Sequence, residues 1–397
     1  MSSSPPLPLA GEEVDLRLLE VLHDRILHQG PISFAEFMEL ALYHPELGYY
    51  ARPEDPVGAE PGRDFYTAPT CHPAFGALVG RQVAECLQRV GGSRRQWVEF
   101  GPGSGAMAAA ILAELRSLGL GEAAGIEAVL VEANPHRRAW QRRLLESSGP
   151  LDGVIWMTPS EWERESPRMR GCLLANELLD ALPVHRYRCE AGEIRELKVG
   201  WDDGPVEVSS STNLPPGPFE GPPSPSEGQE WEVGTAIRRW LEISASRLER
   251  GYLLLLDYGH LSPEIYSPRR RRGTLMAYHR HRVSEDYLAR VGRQDLTAHV
   301  NFSSVLEAAA RCGLSARGPI PQGRFLMALG AMEFLSGGQS WNGLEEFRSR
   351  KTLQELILPG GMGESHQVLV LATPACDLDL QGLRPPGRWP LPCGTAT

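Results

Sequence analysis

What most limits the folds open to this chain is the junction Glu99-Phe-Gly101-Pro-Gly103-Ser-Gly105, where three glycines separate an apolar run from a helical one. Side-chain-free backbone at such a turn lets a ligand approach the N-terminus of the following helix, and a nucleotide-like cofactor is the natural occupant. The flanking pattern alternates. Gln96 to Phe100 reads as a strand, Ser104 to Leu118 as a helix, Glu127 to Glu132 as a strand and Pro135 to Ser147 as a helix. This is the βαβ rhythm of a parallel sheet. Shorter apolar runs at Gly153 to Trp156 and Cys172 to Ala175, then the strong strand Tyr252 to Leu256, continue it, so a doubly wound α/β sheet with helices on both faces is expected.

The remaining segments attach to that sheet. Leu16 to Leu27 carries its apolar residues on one helical face, and Ser33 with Glu36 forms a capping-box pattern ahead of a second helix that stops before Pro45. Residues 46 to 70 are rich in proline, glycine and aromatics and are expected to form a loop covering a pocket. Val184 to Val199 reads as a hairpin turning at Glu190 to Glu193, and 202 to 230, dense in Pro, Gly and Ser, as a surface excursion. Helices near Ser303 to Arg311, Arg324 to Leu335 and Leu344 to Leu356 precede a last strand at Gln367 to Ala372. The expected division is an N-terminal helical and lid segment (1–95), a core (96–260), a C-terminal part completing core and substrate region (261–375) and a flexible tail (376–397).

Composition excludes several classes of function. Hydrophobic residues are 42% and charged residues 23% of 397, an ordinary globular mixture. Fifty acidic against 40 basic side chains give a net charge of -10, the wrong sign for coating nucleic acid through its phosphates. The run Arg269 to Arg272 therefore reads as a solvated or acid-paired loop, and no nucleic-acid partner is expected. The seven cysteines are scattered without a C-x-x-C pair, which fits reduced thiols rather than a zinc site or disulfide frame. His279 and His281 share a loop with no metal-ligand partners, so no metal is expected. No stretch approaches the roughly 20 apolar residues that cross a bilayer, and the N-terminal stretch has neither an export signal nor an Arg-rich transit pattern. A cytoplasmic protein without membrane insertion is expected. A serine nucleophile is unsupported, because Gly103-Ser104-Gly105 lies inside the glycine turn and no G-x-S-x-G elbow occurs.

Two cofactor readings compete at the turn. With Ala106 as its last position the segment fits G-x-G-x-x-G/A, a dinucleotide fingerprint. Glu99, however, would repel a pyrophosphate and attract the ammonium of a methionyl group, which favours S-adenosyl-L-methionine over NAD. Glu132, ending the next strand, is placed to accept ribose hydroxyls in either case. A second constellation, Leu174-Ala-Asn176-Glu177-Leu-Leu-Asp180, follows a buried strand, so Asn176 and Glu177 emerge at the carboxyl edge where open α/β sheets bind ligands. Asp180, three residues on, is expected on the same side of a helical turn, where two carboxylates converge on one cation. Asp257 ends another strand as a cap or a site residue, and Asp64 with Thr67 belongs to the expected lid.

The landmarks GRDFYTAP (62–69), VEFGPGSG (98–105), LVEANP (130–135), ANELLDALPVHRY (175–187), LLLDYGH (254–260), RRGTLMAYHRH (271–281), QDLTAHVNF (294–302) and QGRFLMALG (322–330) occur in one order. With them the chain resembles the MidA-like family of S-adenosyl-L-methionine-dependent methyltransferases, relatives of the mitochondrial complex I assembly methyltransferase, from about Ile32 to Leu371. It departs from the family's usual pattern at Arg63, where Gly is usual, at Asn301, where Asp is usual, and in a shorter loop after His281. The resemblance implies a Rossmann-like class I methyltransferase fold with added helical elements, and symmetric dimethylation of an arginine in a protein substrate such as a respiratory complex I subunit. Asn176, Glu177, Asp180 and Asp257 are then the catalytic candidates. Asp64, Thr67, Glu99, Gly101, Gly103, Gly105 and Glu132 are the cofactor-binding ones. The rival reading is a cofactor-binding assembly chaperone with little catalysis.

Overall fold

The computed structural model describes residues 15–53, 68–211, 221–336 and 343–385. Its centre is a sheet of seven long strands: β1 (Arg95–Phe100), β2 (Ile126–Val131), β3 (Val154–Met157), β4 (Met169–Asn176), β5 (Leu248–His260), β6 (Ser315–Pro321) and β7 (His366–Ala372). They lie in the order β6-β7-β5-β4-β1-β2-β3, and the short strand Val300–Asn301 pairs with the end of β5. Strands β1 to β5 are mutually parallel, while β7 runs antiparallel to β5 and β6. The order leaves β1 in two directions, toward β2 and toward β4, so the crevice at their carboxyl ends is the switch point where such sheets bind ligands.

Both faces of the sheet are buried, which is why its strands read as nearly continuous apolar runs. One face carries Trp97, Leu130, Leu174, Leu254 and Val370 against helices Pro73–Val90 and Ala106–Ser117. The other carries Val98, Val129, Leu173, Leu255 and Leu369 beneath helices Thr235–Arg247 and Phe302–Arg311. Helix Pro73–Val90 was not among the expected elements, although its buried Phe75, Leu78, Val79, Val83 and Leu87 have helical spacing.

Around the carboxyl edge lies a second body. Helices Leu16–Gln29 and Phe34–Tyr43 pack on an antiparallel sheet that contains the expected hairpin, His185–Glu190 with Glu193–Trp201. The capping box forms as read, with Ser33 N–H donating to Glu36 Oε2 at 3.0 Å and Glu36 N–H to Ser33 Oγ at 3.2 Å. The 202 to 230 excursion needs correction: Pro205–Ser211 is a strand paired to Glu193–Trp201, and Glu230 opens another. Polar alternation along 205–211 marks a one-sided edge strand, which composition alone conceals. The helix expected at 324–335 is two, Gln322–Ala328 and Ala331–Ser336, interrupted at Gly330 with φ +99°. The tail expected from 376 is also shorter, because Cys376, Leu380 and Leu383 are buried in the core; residues 386–397 lie outside the described ones. Among the described residues no helix is long and apolar enough to cross a membrane.

Candidate active site

A cavity of about 900 Å³ opens at the carboxyl ends of β1, β2 and β4. Its first lobe is the glycine turn. Gly101, Gly103 and Gly105 have φ of +62°, +53° and +84°, the region that glycine enters without strain. A Cβ at Gly105 would fall 3.1 Å from the Gln141 side chain, whereas one at Gly103 would meet nothing within 4 Å. The first packs the helix and the second leaves the main chain bare. Gln141 Nε2 donates to Gly103 O at 2.8 Å and to Glu132 Oε2 at 3.3 Å, and Trp156 Nε1 donates to Gln141 Oε1 at 3.0 Å. Glu132 Oε1 accepts the Asn134 N–H at 2.9 Å. Burial raises the Glu132 carboxyl, and the Arg137 charge and the Asn134 N–H oppose that rise. Glu99 is 1% exposed, its Oε2 has no hydrogen-bond partner, and burial pushes its carboxyl up to about 8. A buried acceptor left open beside a bare glycine turn suits a ligand that brings a cation and donors.

The second lobe surrounds the end of β4. Glu177 adopts φ +47°, and the chain then makes bends and turns rather than the helical turn expected at 177–180. The reason is Asp257, whose Oδ2 accepts the N–H groups of Leu178, Leu179 and Asp180 at 3.2, 2.8 and 3.4 Å, substituting for helical partners. Its Oδ1 accepts the Tyr258 N–H at 2.9 Å, and Asp257 is not part of the cavity lining. Asn176, Glu177 and Asp180 do line it. Glu177 Oε1 accepts from Ala68 N–H at 2.9 Å and Asn176 Nδ2 at 3.3 Å. Burial pushes Glu177 up to about 8, against the Ala68 hydrogen bond. His366 Nε2 stands 4.0 Å from Glu177 Oε1, but burial drives that imidazole down to about 4, so at neutral pH the contact is not an ion pair. Asp180 Oδ2 accepts the Tyr258 hydroxyl, and its Oδ1 makes no well-aligned hydrogen bond. Burial raises Asp180 to about 6, while the Tyr258 bond and the nearby N–H groups of Ala181 and Asp180 work the other way.

Several lining residues lie outside the catalytic and cofactor-binding candidates read from the sequence. Tyr50 bridges the lobes: its carbonyl accepts Asn134 Nδ2 at 2.8 Å, its hydroxyl donates to Asp295 Oδ1 at 2.8 Å, and Arg137 lies 5.3 Å from its ring centre. Tyr43 donates to Ala181 O at 3.0 Å, and Tyr258, Tyr278, His299 and His366 complete the wall. Of these, Tyr258 adjoins Asp257, Tyr278 adjoins His279, and Tyr50 belongs to the aromatic loop expected to cover a pocket. Asp64, Thr67 and Arg63 lie outside the described residues. Asn301 caps helix Phe302–Arg311 by accepting from Ser303 N–H at 3.1 Å, away from the cavity lining. The arginine run is acid-paired as expected at Arg270, with Glu264, and at Arg272, with Glu285, whereas Arg271 donates to the Glu227 carbonyl at 2.6 Å. No metal-ligating cluster occurs among the described residues.

The family model described as S-adenosyl-L-methionine-dependent methyltransferase matches residues 78–320. The chain belongs to this methyltransferase family. A superfamily member from Burkholderia thailandensis, crystallised with S-adenosyl-homocysteine, is 30% identical, with a TM-score of 0.83 over 92% of this methyltransferase and 94% of that chain. The mitochondrial protein arginine methyltransferase NDUFAF7 homolog of Drosophila melanogaster is 31% identical over 79% of this chain and 74% of its own. The Danio rerio protein arginine methyltransferase NDUFAF7 is 30% identical over 81% and 78% respectively. The methyltransferase thus has the class I fold and takes S-adenosyl-L-methionine as its cofactor, and NAD is set aside. The first lobe fits that cofactor, with an open buried acceptor in Glu99 and bare backbone at Gly103.

Proposed function

We propose that this methyltransferase methylates an arginine of a protein substrate. The observation that carries the reading is the second lobe, whose Glu177, Asp180 and Asp295 carboxyls, with the Asn176 amide oxygen, stand among tyrosines. A guanidinium offers five N–H donors and no acceptor, the complement of such a wall. The arginine methyltransferase names of the relatives support the same class.

The cofactor supplies a methyl carbon on a positively charged sulfur; the S–C bond breaks as a C–N bond forms. In the chain, Gly101, Gly103 and Gly105 shape the binding turn, Glu99 would take the methionyl ammonium and Glu132 the ribose. A guanidinium holds its proton to a pH above about 12, so the nitrogen must be helped to release it. Asp180 localises the cation's charge and accepts that proton as the new bond forms, while the cation draws the neighbouring Glu177 toward its carboxylate. Asn176 orients Glu177. Asp257 is a positioning residue that fixes the backbone carrying Glu177 and Asp180.

Symmetric dimethylation, a respiratory complex I subunit as substrate and a cytoplasmic setting belong to the same proposal. The free, mostly buried cysteines among the described residues fit a reducing compartment. The test is tritiated-methyl transfer into extracts and arginine peptides, with mass spectrometry of the product. Label on arginine, lost in Gly103→Trp, supports the reading. Cofactor binding without label in any protein would replace it with the assembly-chaperone reading.

A further inference from the structure

Tyr258 has no role in the scheme above, yet it joins the parts of the second lobe. It follows Asp257 in β5, lines the cavity, and donates its phenolic O–H to Asp180 Oδ2. Its ring is wedged edge-on between His299, at 5.3 Å and 80°, and His366, at 5.5 Å and 65°. The strand end therefore holds the 177–180 turn twice: Asp257 grips its backbone, and Tyr258 grips the Asp180 carboxyl. Burial keeps the phenol proton on its oxygen, so Tyr258 is the donor to the Asp180 carboxylate. With Oδ2 occupied, Oδ1 is the oxygen left for a substrate N–H.

We propose that Tyr258 is the positioning residue of Asp180, locking one carboxyl oxygen so that the other is presented to the substrate and favouring the charged carboxylate over the acid. The inference rests on the arginine reading for its substrate but not for its mechanics. Beyond the main-chain N–H groups of Ala181 and Asp180, the groups around Asp180 give it no other help: Glu177 on the same turn and Asp257 beneath it are acids, and Tyr43, Tyr50 and Tyr278 face it as phenols. His299 and His366 flank Tyr258 and are neutral, burial holding each down to about 4.

The test uses the full chain and Tyr258→Phe, which keeps the ring between the two imidazoles and removes only the donor. Transfer requires ionised Asp180, so activity falls as pH drops through its titration. Losing the hydrogen bond that stabilises the carboxylate moves this acid limb upward, by about one pH unit. In ¹³C-carboxyl NMR of the protein with S-adenosyl-homocysteine, the Asp180 midpoint, identified by its absence in Asp180→Asn, should move the same way while affinity for that ligand is unchanged. The double variant Tyr258→Phe/Asp180→Asn should lose no more rate than Asp180→Asn alone. Superimposable pH profiles with an unmoved midpoint overturn the inference, even if kcat falls, because that pattern is packing only. A wild type that methylates no arginine while the midpoint still moves overturns the substrate reading and leaves this one standing.

Discussion

Two groups of acids, each with buried members, are finished differently in this chain. In the antiparallel body, Arg186, 4% exposed, meets Glu207 at 2.6 Å and Glu230 at 2.9 Å, and Arg188 meets the other oxygens of the same two acids at 2.6 and 2.8 Å. The Arg186 guanidinium also lies 4.7 Å from the ring centre of Tyr287. Both oxygens of Glu230, which is buried, and of Glu207, which is about a third exposed, therefore meet a guanidinium. At the carboxyl edge of the main sheet, Glu99 and Asp180 are buried and Glu177 nearly so, yet among the described residues no arginine or lysine pairs with them, and Glu99 Oε2 and Asp180 Oδ1 stand open. Burial without pairing is destabilising, so the second arrangement makes sense only for a site completed by charge from outside. The difference separates a structural clasp from a binding site without appeal to any relative.

Exchanging neutral for charged groups in the two places should therefore break different properties. Asp180→Asn removes a proton acceptor and is expected to lower kcat by about 10² to 10³-fold. Affinity for S-adenosyl-homocysteine and the melting temperature should hold or rise, since an uncompensated buried acid is gone. Single-turnover methyl transfer, calorimetry and thermal melts check the three. Glu230→Gln should do the reverse. It strips Arg186 and Arg188 of a shared partner and leaves buried positive charge, a loss of about 3 kcal/mol in urea unfolding, with cofactor affinity intact in the folded fraction. If Glu230→Gln were neutral and Asp180→Asn destabilising, the assignment of clasp and site would have to be exchanged.

A smaller effect sharpens the comparison within the site. Burial holds the Glu99 carboxyl at about 8, so at pH 7 it is mostly protonated in the ligand-free protein. A ligand ammonium favours the carboxylate, hence binding expels a proton, and affinity for S-adenosyl-homocysteine should rise from pH 6 to pH 8. The rise approaches tenfold per pH unit at its steepest. Calorimetry in two buffers of different ionisation enthalpy measures the released proton directly. Glu99→Gln should flatten the pH dependence, and a slope that persists in that variant would assign the proton elsewhere, with Glu132 as the first alternative.

The legibility of these two regions follows the range of the contacts that build them. The glycine turn, Glu99, Glu132 and the end of β4 were visible because strand, turn and helix are local patterns, and a parallel sheet brings strand ends together by rule. The capping box at Ser33 and Glu36 was visible for the same reason. Tyr50 was legible only as part of an aromatic loop over a pocket, not in its contacts, because its partners Asn134 and Asp295 lie 84 and 245 residues away in sequence. The turn at 177–180 was misread as helical because the spacing of Glu177 and Asp180 suits a helix. What prevents one is a side chain 77 to 79 residues further on, Asp257, satisfying the backbone from below. Of the two roles the sequence leaves open for Asp257, cap or site residue, the structure favours the cap, since its oxygens are filled by main-chain N–H groups.

The smallest expected effect concerns Asn301, one of the positions at which the chain departs from the pattern its family resemblance implies. Its Oδ1 caps helix Phe302–Arg311, accepting from Ser303 N–H at 3.1 Å and from the Ser262 hydroxyl at 3.1 Å, and its Nδ2 donates to the Tyr266 hydroxyl at 3.0 Å. An aspartate would keep both accepted bonds and gain from the helix dipole, but the Tyr266 hydroxyl would have to turn and donate instead. These changes oppose each other, so Asn301→Asp should shift stability by less than about 1 kcal/mol. Because the residue belongs to neither acid group and is not part of the cavity lining, transfer rate and cofactor affinity should be unchanged. A clear change in KM for a peptide substrate would show that the substrate-facing surface extends beyond the second lobe to this helix end, and the boundary drawn between site and scaffold would have to move with it.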